Sequence, residues 1–170
     1  MPCESGAIAL GLLLDELGSL RGQILEATRA IRSLAGNERY RQRVELLMSL
    51  KGIGLISAMI LLSELVDIDR FRSLDHLASY AGLVPGKRAS GANDPSQRLT
   101  HRRSAQLRYI LIESAWVAAR KDSTLNRDFE RLAKRMKKSE AIIRIARKQL
   151  ARVRFVLKNK KPYVALSAAA

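Results

Sequence analysis

Cysteine and histidine are almost missing from this chain, which has Cys3 alone and the pair His76 and His101. One thiol excludes an internal disulfide and a cysteine-based zinc site. Two imidazoles exclude a histidine-rich metal centre. Aromatic residues make up 5% of the sequence, with one Trp and three Phe, so a platform for stacking successive bases is not expected. No apolar run approaches the ~20 residues of a membrane span. The amino terminus lacks the basic start and unbroken apolar stretch of a signal peptide, which leads to the expectation of a cytoplasmic protein. No strand pattern and no internal repeat is found.

What is abundant is positive charge. Lys and Arg number 31 against 16 Asp and Glu, a net charge of +15. The excess is uneven: residues 1–97 hold 11 basic and 11 acidic residues, and residues 98–170 hold 20 and 5. A local surplus of this size points to a polyanion, above all nucleic acid, and so to a nucleoid-associated protein. The plainer alternative is a solvated basic surface with no particular partner. With 170 residues and 47% apolar content, the chain is one domain, or one domain with an extension, and can build a core.

Residues 7–35 carry a heptad pattern. Leu10, Leu17, Ile24 and Ile31 fill one core position, and Leu13, Leu20, Ala27 and Leu34 fill the other. The alternation predicts a coiled-coil helix that needs a partner, either a second copy or a later helix of the same chain. Gly11, Gly18 and Gly22 weaken it, at ~1 kcal/mol each against alanine. Gly36-Asn37 is a stop. Further helices are predicted over 38–49, with Tyr40, Val44, Leu47 and Met48 on one face; over 55–66, apolar nearly all round and hence buried; and over 74–81, capped by Ser73 and ended by Gly82. Residues 85–102 contain Pro85, Gly86, Gly91, Asn93, Asp94, Pro95 and Ser96 without periodicity, the mark of a long functional or disordered loop. Three more helices follow. One covers 103–121, with Leu107, Ile110, Leu111, Ser114, Ala115 and Ala118 inward, and Trp116 read as core. The next covers 124–137, capped by Ser123, and the last covers 140–158, capped by Ser139, with Ile142, Ala146, Gln149, Val153 and Val156 inward. The expected fold is all-α: a coiled-coil helix over 1–36, a helical domain over 37–165 with a helix–hairpin–helix-like element, and a loose tail over 166–170.

Three constellations carry chemical content. Lys51-Gly52-Ile53-Gly54 lies between two helices. Glycines let the backbone approach a ligand, and amides at the start of a helix attract phosphate. Such a hairpin grips the DNA backbone without reading sequence; the alternative is an ordinary tight turn. The second constellation is Ser90-Gly91, with Lys87, Arg88, Arg98, Arg102 and Arg103 nearby. A serine hydroxyl attacks phosphorus when its proton is removed and cations hold the phosphate, a task suited to the planar fork of arginine. On residue chemistry alone Ser96 and Ser104 are equal candidates, and most loop serines only shape turns. The third is Lys134, Arg135, Lys137 and Lys138 between the last two helices, a phosphate footprint that predicts steep salt dependence.

Taken in order, the segments resemble a known family. They are Leu47-Met48-Ser49-Leu50-Lys51-Gly52-Ile53-Gly54, Phe71-Arg72-Ser73, Leu77-Ala78-Ser79-Tyr80-Ala81-Gly82-Leu83-Val84-Pro85, Ser90-Gly91, Leu99-Thr100, Leu107-Arg108, Glu113-Ser114-Ala115-Trp116 and Arg144-Ile145-Ala146-Arg147. The series, over about residues 38–165, resembles the C-terminal domain of IS-one-ten and IS-eleven-eleven insertion-sequence transposases, and the heptad resembles the coiled coil before it. The resemblance implies a DNA recombinase whose full form pairs a RuvC-like nuclease domain, with a carboxylate magnesium site, to this helical domain. It implies that Ser90 is the serine joined covalently to DNA, that Arg108 belongs to the nucleic-acid-binding set, and that a structured guide RNA takes part. The RuvC-like domain has no counterpart in this sequence, so no cofactor is expected on the chain itself, and a RuvC-like half is expected as a partner. One departure falls in the loop: where the family has Gly-Asn, this chain has Arg103-Ser104. A non-catalytic nucleic-acid-binding module and an inert helical bundle are the alternatives.

Overall fold

Apolar residues three and four apart wind helices. The computed structural model describes residues 4–84 and 104–164. These form α1 (Glu4–Gly36), α2 (Glu38–Met48), α3 (Leu55–Leu65), α4 (Leu74–Tyr80), α5 (Ala105–Lys121), α6 (Ser123–Ala133) and α7 (Lys138–Asn159). Among the described residues the fold is all-α, as the sequence predicts, with the long N-terminal helix in place.

The core lies between α5 and α7. Leu107, Leu111, Ala115 and Ala118 of α5 meet Ile145, Ala146, Leu150, Val153 and Val156 of α7, all with no exposed surface. Helix α6 closes one side with Leu125 and Phe129, and Trp116 packs edge-on against Phe129. Trp116 is half-buried at the margin of the core. Helices α2 and α3 close the other side through Leu47, Leu61 and Leu65. Each fully buried Leu or Ile of this kind contributes ~1.5–3 kcal/mol before chain entropy is counted.

Helix starts follow side-chain oxygens. Ser73 Oγ accepts from His76 N–H at 3.1 Å, as expected, and Ser104 Oγ accepts from Leu107 N–H at 3.0 Å. Two expected caps move. Asp122, not Ser123, caps α6: its Oδ1 accepts from Leu125 N–H at 2.9 Å, a charge-assisted bond that a hydroxyl at 123 cannot better. Helix α7 begins at Lys138, because the Lys137 carbonyl already accepts from Glu140 and Ala141 N–H at 2.9 and 3.0 Å; Ser139 is inside the helix. Helix α6 stops at Ala133, earlier than predicted, where Arg135 and Met136 N–H turn back onto the Leu132 carbonyl.

Two burial expectations also change. Met48 is 46% exposed, because α2 ends there and Leu50, in the turn beyond, makes the apolar contact instead. Helix α3 buries Ala58, Leu61, Leu62 and Leu65, while Ile56 faces out. Helix α1 packs on α2 and α3 only near its end, where Ala35 is buried and Thr28 and Ile31 are half-buried. Upstream, Leu10, Leu13, Leu17, Leu20 and Ile24 stand exposed, so no later helix among the described residues covers that part of the heptad seam.

Candidate nucleic-acid interface

The hairpin begins with the end of α2. Ile53 N–H bonds the Leu50 carbonyl at 3.2 Å, closing a four-residue turn in which Gly52 has φ +90° and Lys51 does not have positive φ. That combination is a type II turn, which demands glycine at its third position. The turn is braced from several sides. Gly52 lies against α5 so closely that a Cβ there would be 2.3 Å from the Ser114 carbonyl and 3.0 Å from Ala118 N. Gln149, fully buried on α7, donates through Nε2 to the Lys51 carbonyl at 2.8 Å and to Ser114 Oγ at 3.3 Å. Ser49 Oγ donates to the Leu46 carbonyl at 2.6 Å and accepts from Tyr163 N–H at 2.8 Å, tying the segment after α7 to the end of α2.

Gly54 behaves differently. It has φ −96° and ψ 177°, is exposed, and has open space where a Cβ would stand. It occupies the N-cap of α3 without a side-chain cap, and the first helical bond runs from Ala58 N–H to the Gly54 carbonyl at 2.8 Å. The amides of Leu55 and Ile56 therefore have no acceptor within the helix. Lys51 is exposed beside them. Of the two glycines singled out in the sequence, Gly52 serves packing and Gly54 keeps a helix start open. Both the tight-turn and the phosphate-grip readings draw on this one hairpin.

Lys134, Arg135, Lys137 and Lys138 line the α6–α7 junction, and none makes an ion pair among the described residues. Other cations are spent on structure: Arg147 pairs with Asp75, Lys148 and Arg131 with Asp128, and Arg152 with Asp122 at 2.8 Å. Lys138 and Gln149 lie on the same helix about 16 Å apart along its axis at 1.5 Å per residue. The basic junction and the hairpin are thus two separate surface features. Arg108, half-buried, packs its guanidinium over Gly82, where a Cβ would meet its Nη2 at 3.0 Å. Ser90, Lys87, Arg88, Gly91, Arg98, Arg102 and Arg103 lie outside the described residues.

Asp122, at the start of α6, pairs with Arg152 of α7 at 2.8 Å. Burial pushes the Asp122 carboxyl up, but the Arg152 hydrogen bond, the Leu125 N–H, the Arg152 charge and the Thr124 N–H outweigh it and hold the group below its ordinary value. The Arg152 guanidinium also stacks on Tyr163 at 4.4 Å.

Comparison with known proteins decides the family. Residues 44–130 match the family described as Transposase IS116/IS110/IS902, a span that runs from α2 through the hairpin and Ser90 to α6. The chain belongs to this transposase family. The y4qE protein of Sinorhizobium fredii, named a putative transposase, is 37% identical over 70 residues, covering 41% of this chain and 18% of that protein. The "Probable family 20 transposase" of Pseudomonas aeruginosa is 30% identical over 120 residues, 71% of this chain and 34% of that protein. An insertion element IS110 protein of 43.6 kDa from Streptomyces coelicolor is 30% identical over 105 residues, 61% and 26% of the respective lengths. This transposase-family chain thus spans between 18% and 34% of these relatives.

Sequence reasoning missed Gln149 as a brace. It placed the residue on the inward stripe of α7, where an amide among Ile142, Ala146, Val153 and Val156 was the signal: a buried amide demands a partner. Nothing local marked Ser49 or Tyr163, which meet across more than a hundred residues of sequence. No helix among the described residues is long and apolar enough to cross a membrane.

Proposed function

We propose that this chain is the serine-bearing helical part of an insertion-sequence transposase. In this reading it binds DNA by backbone phosphates and supplies Ser90 as the nucleophile for strand transesterification. The observation that carries the reading is the family match over residues 44–130, which contains both the hairpin and Ser90. The open start of α3 beside Lys51, on a chain of net charge +15, supports the phosphate-binding part.

The chemistry is a phosphoryl exchange. The Ser90 Oγ attacks the phosphorus of a DNA phosphodiester; an Oγ–P bond forms, a P–O bond to the sugar breaks, and the leaving oxygen takes up a proton. Lys87, Arg88, Arg98, Arg102 and Arg103 neutralise charge on the non-bridging oxygens, where preorganised cations act most strongly. A free hydroxyl of another strand then attacks the same phosphorus and restores the serine. Both steps exchange one phosphodiester for another, so the backbone is rejoined without an outside energy source. Among the described residues no group of His, Cys, Asp or Glu is placed to hold a metal ion. A RuvC-like half, with its carboxylates and magnesium, and a guide RNA are the partners this reading calls for. The exposed leucines of α1 fit a homodimer through a coiled coil, since each seam residue needs an apolar partner. The chain would work at the nucleoid.

The test supplies a RuvC-like half and the end DNA of the element. A covalent protein–DNA adduct is expected that Ser90→Ala abolishes and Ser96→Ala leaves intact. An adduct that survives Ser90→Ala refutes the assignment. A second reading, a non-catalytic nucleic-acid-binding module, draws on the hairpin and the unpaired cations of the α6–α7 junction alone. It predicts salt-dependent binding and no adduct under any pairing.

A further inference from the structure

The Lys51–Gly52 peptide has two orientations open to it. A four-residue turn can switch between type I and type II by rotating its central peptide, because the flanking positions barely move. Here that peptide is in the type II orientation, with Gly52 at φ +90°. Its carbonyl is the one Gln149 Nε2 captures at 2.8 Å. All peptides in the described chain are trans, so the Gly52 N–H points opposite to the Lys51 carbonyl. The carbonyl faces the interior and the buried amide of Gln149, which turns the N–H to the other side. That N–H donates to no acceptor among the described residues, and Gly52 is partly exposed.

We propose that Gln149 is the positioning residue of the hairpin: by holding the Lys51 carbonyl inward it keeps the Gly52 N–H outward as a phosphate donor beside the open start of α3. This rests on the reading that the hairpin holds a DNA phosphate. The chemistry of Gln149 fits the role. Its Oε1 is buried with no partner, a cost that an apolar residue would avoid. Leu or Met would fill the same volume in a stripe of Ala146, Leu150 and Val153 without that cost. An amide there does one thing a hydrocarbon cannot, which is to fix the direction of a peptide in the turn after α2, about a hundred residues away in the sequence. Ser114 holds the amide on its other flank at 3.3 Å. Gly52 completes the device, since its contact with the Ser114 carbonyl fixes how deep the turn sits.

The experiment follows backbone amide resonances of the full chain while a short mixed-sequence DNA duplex is added, for wild type and Gln149→Met, with thermal melting as the check on folding. In wild type the amides of Gly52, Leu55 and Ile56 shift. In Gln149→Met, Leu55 and Ile56 still shift, Gly52 does not, and affinity falls about three- to tenfold, as for the removal of one ordinary solvent-accessible hydrogen bond. The salt slope stays that of wild type, because no cation is removed; the loss confined to the Gly52 amide, with Leu55 and Ile56 still responding, is what a purely structural role would not cause. A Gly52 response that persists unchanged in Gln149→Met overturns the positioning role and leaves the phosphate reading standing. DNA binding without any response at Gly52, Leu55 or Ile56 in wild type overturns the phosphate reading itself. If Gln149→Met does not fold, the scalar coupling across the hydrogen bond from Gln149 Nε2 to the Lys51 carbonyl in wild type decides, and its absence refutes the proposal.

Discussion

Replacing each glycine of the hairpin by alanine separates the two jobs of the motif. At Gly52 the backbone has φ +90°, a region that costs an L-residue ~1–2 kcal/mol. The new Cβ would sit 2.3 Å from the Ser114 carbonyl oxygen and 3.0 Å from Ala118 N. Both atoms belong to the backbone of α5, so no side chain can rotate out of the way, and overpacking adds ~1–3 kcal/mol. Reduced entropy of the unfolded chain returns ~0.4–1 kcal/mol. The net expectation for Gly52→Ala is a loss of about 2–4 kcal/mol, or a melting point lower by roughly 5–15 °C for a domain of this size. Gly54→Ala meets nothing within 4 Å and keeps an ordinary φ of −96°. Its loss of N-cap quality and its gain in chain stiffness nearly cancel, leaving ~0.5 kcal/mol or less. The methyl group does, however, take up open space at the start of α3 that a bound phosphate would need. Urea unfolding and DNA titration on both variants read the outcome: Gly52→Ala destabilises, and Gly54→Ala folds like wild type while binding DNA more weakly. A Gly52→Ala protein as stable as wild type refutes the packing argument, and a Gly54→Ala protein that binds as tightly refutes the phosphate grip at α3.

The Asp122–Arg152 pair predicts an acid transition. The folded carboxyl is held below its ordinary value, so its stabilisation is complete above about pH 4 and is lost as pH falls through the folded pKa. Asp122→Asn keeps a cap but leaves Arg152 unpaired, and costs about 3 kcal/mol at neutral pH. Its urea midpoint should change less than that of wild type below pH 4. At the basic junction, Lys137→Gln with Lys138→Gln should leave the melting point unchanged and lower the salt slope of DNA binding by roughly 0.9 for each phosphate no longer neutralised; an unchanged slope removes the junction from the footprint. On α1, Leu17→Glu should convert a dimer to a monomer in sedimentation equilibrium while the helical domain keeps its melting point, and a wild-type chain that is monomeric at high concentration refutes the coiled-coil pairing.

Much of the fold was legible because it rests on periodicity. The inward faces of α5 and α7 were readable one residue at a time, since Leu107, Leu111, Ala115, Ile142, Ala146 and Val153 repeat at helical spacing whatever they pack against. The helix ends were harder. Ser123 and Ser139 are adequate caps locally, and they lost to Asp122 and Lys137. In the first case an aspartate that also reaches Arg152 satisfies two partners at once, and Arg152 is thirty positions away. Met48 departs from expectation for a related reason: the helical period does not continue past the point where the turn takes over.

The hairpin was legible as a motif and not as a mechanism. Gly-x-Gly between apolar helices announces a turn, but the sequence cannot divide the work between its glycines. That division is made by α5, which approaches Gly52 and leaves Gly54 alone. It is completed by α7, where a single amide in an apolar stripe sets the direction of one peptide far away in the chain. If the hairpin holds a phosphate as proposed, its affinity would depend on residues that touch no phosphate. A charge count along the sequence assigns the interface to the basic second half, yet the amides best placed to hold an anion lie in the electrically balanced first half. Backbone donors carry no formal charge, and only the packing of α5 and α7 beneath them gives them a common direction.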